Sequence, residues 1–560
     1  MWRDWTLFIP KSVTVLRQGY GLADFRSDVV AGLTVAIVAM PLAMALAIAS
    51  GATPAQGLIT AVVAGFLISL LGGSRFQIGG PTGAFVVVVY GVIAKHGYDG
   101  LLIATTLAGG ILILAGLFRI GTLIKYIPDP VTTGFTTGIA TIILASQLKD
   151  IFGLSAENVP ADFIPKLQAL WAARASLSLP TLALATTCFA AIMLLRRFAP
   201  KVPGFLVVTI AASVAAYLLA TPIETIGSKF GGVPSTLPTP NFAFWSWDKA
   251  RDVLPSAFTI ALLAGVESLL SAVVADQMTG RRHRSNIELV AQGIANIASA
   301  AVGGLPATGA IARTATSIRS GARSPLAGML HAAFLLLFML FLAPLAKFVP
   351  LAALAAILVV VALNMAELHR FRLLLGTSNG DRAVLLLTFG LTVLVDLTLA
   401  IEVGMVLAAF VFMHRMSQLS TIEGGGPSLI EGDQDDFARN SEVPYQPYEG
   451  LPHDTAVITF RGPLFFGSTS VLKDALDQIG ARSRRYILRF EDVPLIDPTG
   501  AAALSSFLQR ASQDHASVTI CGVRDSVMAN LRRTVEPHVL AKIAFLPSFA
   551  AARAAIAAPA

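Results

Sequence analysis

Two stretches of the chain place glycine, proline and threonine where an apolar helix would otherwise begin. The first reads Gly79-Gly80-Pro81-Thr82-Gly83-Ala84-Phe85, the second Gly303-Gly304-Leu305-Pro306-Ala307-Thr308-Gly309-Ala310-Ile311. A helix start exposes unpaired backbone N–H groups and a partial positive charge. Two such starts facing each other can hold an anion without a fixed cation. The glycines let an anion approach the backbone, and the hydroxyls of Thr82 and Thr308 can donate to it. On this reading Thr82, Gly83, Ala84, Phe85, Thr308, Gly309 and Ala310 line the site.

Ionisable residues inside apolar runs are the second signal. Glu267 lies in Ala264-Gly265-Val266-Glu267-Ser268-Leu269-Leu270-Ser271. A charge at the bilayer centre costs on the order of 3 kcal/mol, so such a residue is read first as functional. Loss of hydration favours the neutral form of a carboxyl, which suits Glu267 to carry a proton. Ser271, one helical turn on, shares its face, and the two together with nearby carbonyls could instead hold Na+. A structural carboxyl bonded to a neighbouring helix is the plainer alternative. Arg313, seven residues after Pro306, is placed to stabilise an anion or to pair with Glu267. Arg319 and Arg323 read as interfacial, Asp396 and Glu402 as structural, and His331 as a hydrogen-bonded core histidine.

These residues need helices to position them, and the composition supplies them. Of 560 residues, 55% are hydrophobic and 13% charged, about half the charge of an ordinary soluble protein, and mean hydropathy is +0.71. That excludes a soluble enzyme, a disordered chain and a nucleic-acid partner, despite a pI near 9.5. The charges are uneven. Thr421–Ala560 holds 13 basic and 16 acidic residues, whereas Met1–Ser420 holds 28 and 18. The pattern is a basic membrane domain followed by a slightly acidic soluble one.

A helix needs about 20 apolar residues to cross a bilayer. Val29–Ser74 contains no charge and accommodates two helices joined at Ser50–Pro54. Phe76–Ala94, Gly100–Phe118, Pro130–Leu148, Ala175–Leu195 and Val202–Ile223 complete seven elements. After the polar stretch Glu224–Lys249, seven more follow: Val253–Ala275, Leu289–Ala301, Pro306–Ile318, Pro325–Leu345, Val349–Ala366, Ala383–Val395 and Leu399–Met413. Several are too short for a straight crossing, so broken or tilted helices are expected. Basic residues cluster at Arg196, Arg197 and Lys201, at Arg281, Arg282 and Arg284, and at His369, Arg370, Arg372 and Arg415. With these loops inside, both termini are cytoplasmic. The N-terminal segment carries no signal-peptide pattern. Cys188 and Cys521 cannot form a disulfide framework or a four-ligand zinc site, and no metal site is expected. No phosphate-cradling Walker sequence points to ATP-driven pumping.

An odd number of elements per half makes a duplicated chain an inverted repeat, here residues 28–223 and 253–416. The glycine- and proline-interrupted segments open its third and tenth elements, the pattern of discontinuous helices meeting near the midplane. With Gln77-Ile78-Gly79-Gly80-Pro81-Thr82-Gly83-Ala84, Pro128-Asp129-Pro130-Val131-Thr132-Thr133-Gly134-Phe135-Thr136-Thr137-Gly138 and Val274-Ala275-Asp276-Gln277-Met278-Thr279-Gly280, the chain from about Asp24 onward resembles the SulP anion permeases. The resemblance implies a core and a gate domain drawn from both repeats, substrate held between the third and tenth helices, and a homodimer. It assigns cation coupling to Glu267 and a basic residue at the anion site to Arg313. One departure concerns the first helix. Many members carry a polar residue after its proline, whereas this chain reads Met40-Pro41-Leu42, which leaves bicarbonate and dicarboxylates open beside sulfate.

After an N-terminal segment (1–27) and the transport domain (28–420), residues 421–449 read as a Gly/Pro/acid-rich linker. In 450–560, strands at Ala456–Phe460, Tyr486–Phe490 and Val518–Cys521 alternate with helices near Ser470–Ile479, Gly500–Gln513 and Ser526–Arg533, an α/β domain. With Gly462-Pro463-Leu464-Phe465-Phe466-Gly467 and Ile496-Asp497-Pro498-Thr499-Gly500 it resembles a STAS domain. In related anti-sigma-factor antagonists the position of Thr499 carries a phosphorylated hydroxyl. The alternative is a structural loop capped by Asp497 or Thr499. The expected fold is thus a polytopic α-helical membrane protein of 14 transmembrane elements in a 7+7 inverted repeat, with a C-terminal α/β STAS domain. The expected activity is cation-coupled uptake of sulfate across a bacterial inner membrane, coupled to H+ rather than Na+, without a cofactor. Exchange and a passive channel are the alternatives, and the STAS domain offers a surface for a cytoplasmic protein partner.

Overall fold

The computed structural model describes residues 5–122, 128–156, 159–200, 202–218, 223–395, 397–424, 451–452, 454–469 and 484–557. It divides into two units, Met1–Val406 and Leu407–Ala560.

The membrane helices are α1 (Leu22–Ala49), α2 (Pro54–Leu71), α3 (Phe85–Leu117), α4 (Asp129–Phe152), α5 (Leu179–Phe198), α6 (Gly204–Leu218), α7 (Leu254–Thr279), α8 (Ser285–Ala301), α9 (Ile311–Arg319), α10 (Leu326–Ala346), α11 (Leu351–Met365), α12 (Asn379–Leu394) and α13 (Leu397–Gln418). Nine helical stretches among the described residues are long and apolar enough to cross a bilayer. α3 breaks at Gly97, where φ is 73°, a conformation glycine adopts without steric cost. That break and the shorter α6, α8, α9 and α12 bring the elements to the expected fourteen. Large apolar side chains such as Leu114, Phe118, Phe198, Leu218, Phe341 and Leu345 are exposed, as a lipid-facing surface requires.

Inside the bundle, small residues let helices approach closely. A Cβ on Gly109 of α3 would collide with the Gly293 carbonyl of α8, and one on Gly293 with that of Gly109. Gly134 and Gly138, in the second quoted segment, do the same for α4 against α12. At the start of α1, Asp28 is fully buried. It accepts from Tyr20 Oη at 2.7 Å, Arg323 N at 2.7 Å, Ser324 N at 3.2 Å and the Ser324 hydroxyl. Four donors satisfy a buried carboxylate and pin α1 to the loop before α10.

The structure differs from the sequence reading in where helices begin. Gly79–Gly80 and Thr308–Gly309 are extended, forming β1 and β2, and the helices start only at Phe85 and Ile311. Gly80 has φ 149°, and a proline follows it, so a helix cannot propagate through the turn.

The second unit is a five-stranded sheet: β3 (Thr421–Gly424), β4 (Thr455–Arg461), β5 (Arg485–Asp492), β6 (Ser517–Cys521) and β7 (Ala544–Leu546), in that spatial order. β3 pairs antiparallel and the rest pair parallel. The near-continuous burial along β4 is what a parallel strand covered on both faces requires. Helices α14 (Pro498–Gln513), α15 (Asp525–Thr534) and α16 (Phe549–Ala557) complete it. Its core stacks Phe460 against Phe490 at 5.0 Å and Tyr486 against Phe507 at 5.3 Å. β3 lies within the stretch read as linker. The remainder of that stretch, and the helix expected at Ser470–Ile479, lie outside the described residues, as does Asp396.

Candidate functional site

β1 and β2 pair antiparallel, Gly79 opposite Gly309 and Gly80 opposite Thr308. Ala310 N donates to Ile78 O at 2.9 Å and extends the pairing. The two interrupted segments therefore meet as the sequence predicts, and the chain leaves the pair into α3 on one side and α9 on the other. The N-cap residues of these helices are Ala84 and Ala310, and neither start carries a side-chain cap. Alanine is among the poorest N-caps because it offers no acceptor. The start of α9 thus keeps the polarity that suits an anion, whereas at the start of α3 Phe85 N donates to Thr82 O at 3.3 Å and Val86 N to Gly83 O at 3.1 Å.

The threonines point elsewhere than expected. Thr82 Oγ1 donates to Glu267 Oε2 at 2.8 Å, and Thr308 Oγ1 donates to Ala264 O at 2.9 Å. Both hydroxyls are tied to α7, one turn apart, instead of being open to a ligand. Thr82, Thr308, Phe85 and Ala310 are buried, whereas Glu267 keeps partial exposure. Gly83 abuts the opposite wall, since a Cβ there would press on Met365 Sδ of α11.

Arg313 is 3% exposed. Its Nη2 donates to Pro81 O at 3.0 Å, while Nε and Nη1 have no partner among the described residues. The guanidinium lies against Gly80, where a Cβ would collide with Nη1. Arg313 and Glu267 act on each other electrostatically but form no contact ion pair. Ser271 does not join Glu267. Its hydroxyl meets Thr314 Oγ1 at 3.1 Å, and Thr314 Oγ1 accepts from Ile78 N at 3.1 Å. Ser271 therefore straps the strand pair to α7. His331, expected to be hydrogen-bonded, is fully buried with no partner on either ring nitrogen among the described residues.

A polar network behind the site went unread in the sequence. Glu288 of α8 is fully buried and accepts from Gly73 N (2.8 Å), Ser74 N (3.2 Å), Ser268 Oγ (3.2 Å) and Gln292 Nε2 (3.0 Å). Gln77 Nε2 donates to Ser268 Oγ at 2.6 Å, and its amide covers Gly309 so closely that a Cβ there would overlap it. Asn296 donates to Ala307 O at 2.9 Å and accepts from Ala307 N at 2.8 Å. The network fixes both arms and the residue beside Glu267. Its signal was the spacing of Glu288, Gln292, Asn296 and Ser299, a polar stripe of helical period, whose first member a span starting at Leu289 leaves out.

In the second unit Asp497 is the N-cap of α14. Its carboxylate accepts from Gly500 N at 2.7 Å and Phe466 N at 3.0 Å. Thr499, at the second position of the helix, is exposed.

Comparison with known families decides the membership. The sulfate permease family model matches residues 25–388, and the STAS domain model matches 449–544. The chain belongs to the sulfate permease family. This permease is 39% identical over 527 residues to YvdB of Bacillus subtilis, named as a candidate sulfate transporter, covering 94% of this chain and 96% of that one. It is 29% identical over 524 residues to the bicarbonate transporter BicA of Picosynechococcus, covering 91% of each. Among solved structures, the murine solute carrier 26 family member A9, an anion transporter solved in the inward-facing state, matches with TM-score 0.84 at 16% identity. That match covers 99% of this permease and 94% of that chain, and it establishes the shared fold. The transmembrane domain of a cyanobacterial BicA matches with TM-score 0.61 at 29% identity, over 70% of this permease and 98% of that chain. The protein is a multi-pass anion transporter and not an enzyme.

Proposed function

We propose that this permease is a proton-coupled sulfate importer of a bacterial inner membrane, with both termini cytoplasmic. The observation that carries the reading is the 2.8 Å hydrogen bond from Thr82 Oγ1 to Glu267 Oε2. It joins a titratable side chain to the turn that opens α3.

An ionised carboxylate only accepts hydrogen bonds, whereas a protonated one also donates. With Glu267 ionised, the Thr82 hydrogen is committed to it. With Glu267 protonated, the acid O–H donates to Thr82 Oγ1 and the threonine hydrogen turns toward the anion. Proton and anion then favour each other's binding, which is reciprocal by linkage. Protonation also removes a negative charge beside the arriving anion. Arg313 holds the Pro81 carbonyl and adds positive charge behind the site. H+ is favoured over Na+ because the Ser271 hydroxyl is engaged with Thr314.

Orientation rests on the basic loops named above. Bicarbonate is the second reading, favoured by apolar Leu42 after the α1 proline and by the likeness to BicA. Thr499, exposed on the STAS domain, is the proposed regulatory hydroxyl, and a homodimer is the proposed assembly. The test is uptake into proteoliposomes of labelled sulfate, bicarbonate and a dicarboxylate under separate H+ and Na+ gradients. Sulfate should accumulate under an inward H+ gradient alone. Accumulation that follows Na+ and ignores H+ would overturn the coupling.

A further inference from the structure

A cavity of about 840 Å³ opens at the end of the bundle where α1 finishes. One wall is Ile48–Ala52 and the α3 face carrying Val86, Val87 and Tyr90. The other is α4, through Ile142, Ser146 and Lys149, and the short helix Phe163–Ala172. The α3 face begins at the residue after Phe85, and Tyr90 lies only about 7–8 Å along the helix from it. The cavity therefore reaches to within one residue of the candidate anion site along α3, with α1 and α3 on one side and α4 on the other.

Four charged side chains line it: Lys149, Asp150, Lys166 and Lys229. Three of them are engaged. Lys149 Nζ donates to Ala156 O at 2.5 Å. Lys229 lies 3.9 Å from Asp150 and 3.6 Å from Glu224. Lys166 differs. It is 5% exposed and forms no contact ion pair among the described residues; the Asp162 carboxylate, one turn earlier, acts on it only electrostatically, and its ammonium lies 5.2 Å from the centre of the Tyr90 ring. Tyr90 is itself held by its hydroxyl donating to Val159 O at 2.8 Å. A cation–π contact offsets part of the cost of burying an ammonium, and its N–H donors lie on the cavity wall, where an anion that enters can accept from them.

We propose that this cavity is an anion antechamber, in which Lys166 over the Tyr90 ring holds a small oxyanion of the sulfate or bicarbonate class before it passes along α3 to the paired helix starts. The assignment rests on the anion-transport reading above and adds to it a second site on the route. An ammonium there concentrates anions at the mouth without entering the coupling step. Its loss weakens capture and leaves turnover intact.

The test is the kinetics of the full chain in proteoliposomes with labelled sulfate and labelled bicarbonate, and equilibrium binding of labelled sulfate to the purified chain. Lys166→Gln should raise KM about tenfold, the loss of one charge-assisted contact, with kcat within about twofold. Lys166→Arg should restore KM, and Lys149→Gln should change it far less. Unchanged KM in Lys166→Gln, or a fall in kcat alone, overturns the antechamber. If the wild-type chain transports neither anion, the transport reading fails on its own. Sulfate binding that is weakened in Lys166→Gln and kept in Glu267→Gln would still support the antechamber, and equal binding in wild type and Lys166→Gln would overturn it.

Discussion

The two arms of the site come from equivalent places in the two repeats, yet they are anchored differently. On the second arm, Thr308 donates to a backbone carbonyl, that of Ala264. On the first, Thr82 donates to the carboxylate of Glu267, three residues further along the same helix. A carbonyl is a fixed acceptor, whereas a carboxylate changes its hydrogen-bonding role when it takes up a proton. In the proposed mechanism the second arm is thus a scaffold and the first a switch. Arg313, carried by the helix of the second arm, reaches across to the Pro81 carbonyl of the first, so the scaffold also holds the switch. Sequence symmetry with chemical asymmetry is how a duplicated fold can bind with both halves and respond with one.

The largest effect should come from Glu267→Gln. Glutamine keeps the size but cannot titrate. Gradient-driven accumulation should vanish, while sulfate binding at equilibrium persists, as measured by uptake and by binding to the purified chain. Arg313→Ala comes next. It removes one of the links between the arms and leaves the Pro81 carbonyl without its donor, so sulfate affinity should fall by about tenfold or more and the thermal midpoint should drop. Gly80→Ala should destabilise the chain by about 1–3 kcal/mol, because φ 149° suits only glycine there and the new methyl meets Arg313. Its readout is a lowered thermal midpoint. The smallest effect separates the arms most sharply. Thr308→Val should cost about 1 kcal/mol of stability, the scale of one hydrogen bond inside a membrane protein, with accumulation retained. Thr82→Val, of similar cost, should lower the H+ dependence of uptake. If the two variants uncouple transport equally, the distinction between scaffold and switch is wrong.

Much of this was legible in the chain. Long uncharged runs foretold the helices, since nothing else satisfies a backbone in lipid. The interrupted segments foretold a meeting of two helix starts because glycine and proline punctuate structure locally. What stayed hidden depends on tertiary placement. Nothing local reveals that Thr82 turns to Glu267, or that Ser271 turns to Thr314 and away from its neighbour one helical turn earlier. Glu288 was missed for a different reason. A hydropathy window trims polar residues from the end of a span, although this one is fully buried and satisfied by four donors. Asp28 was lost in the same way, one residue before the uncharged run begins.

The β1–β2 pairing sets a limit on length as well as on composition. Only two residues of each strand pair, and side chains alternate faces along an extended segment. Adding or deleting one residue between Gln77 and Thr82 would shift the two against each other, so that Gln77 could not meet Ser268 while Thr82 meets Glu267. A loop on the surface tolerates such a change easily, but here it would misalign one repeat against the other. The nine-residue interval from Gln77 to Phe85 therefore acts as a ruler between the halves. Variants that change its length should be lost more completely than those that change any one of its side chains.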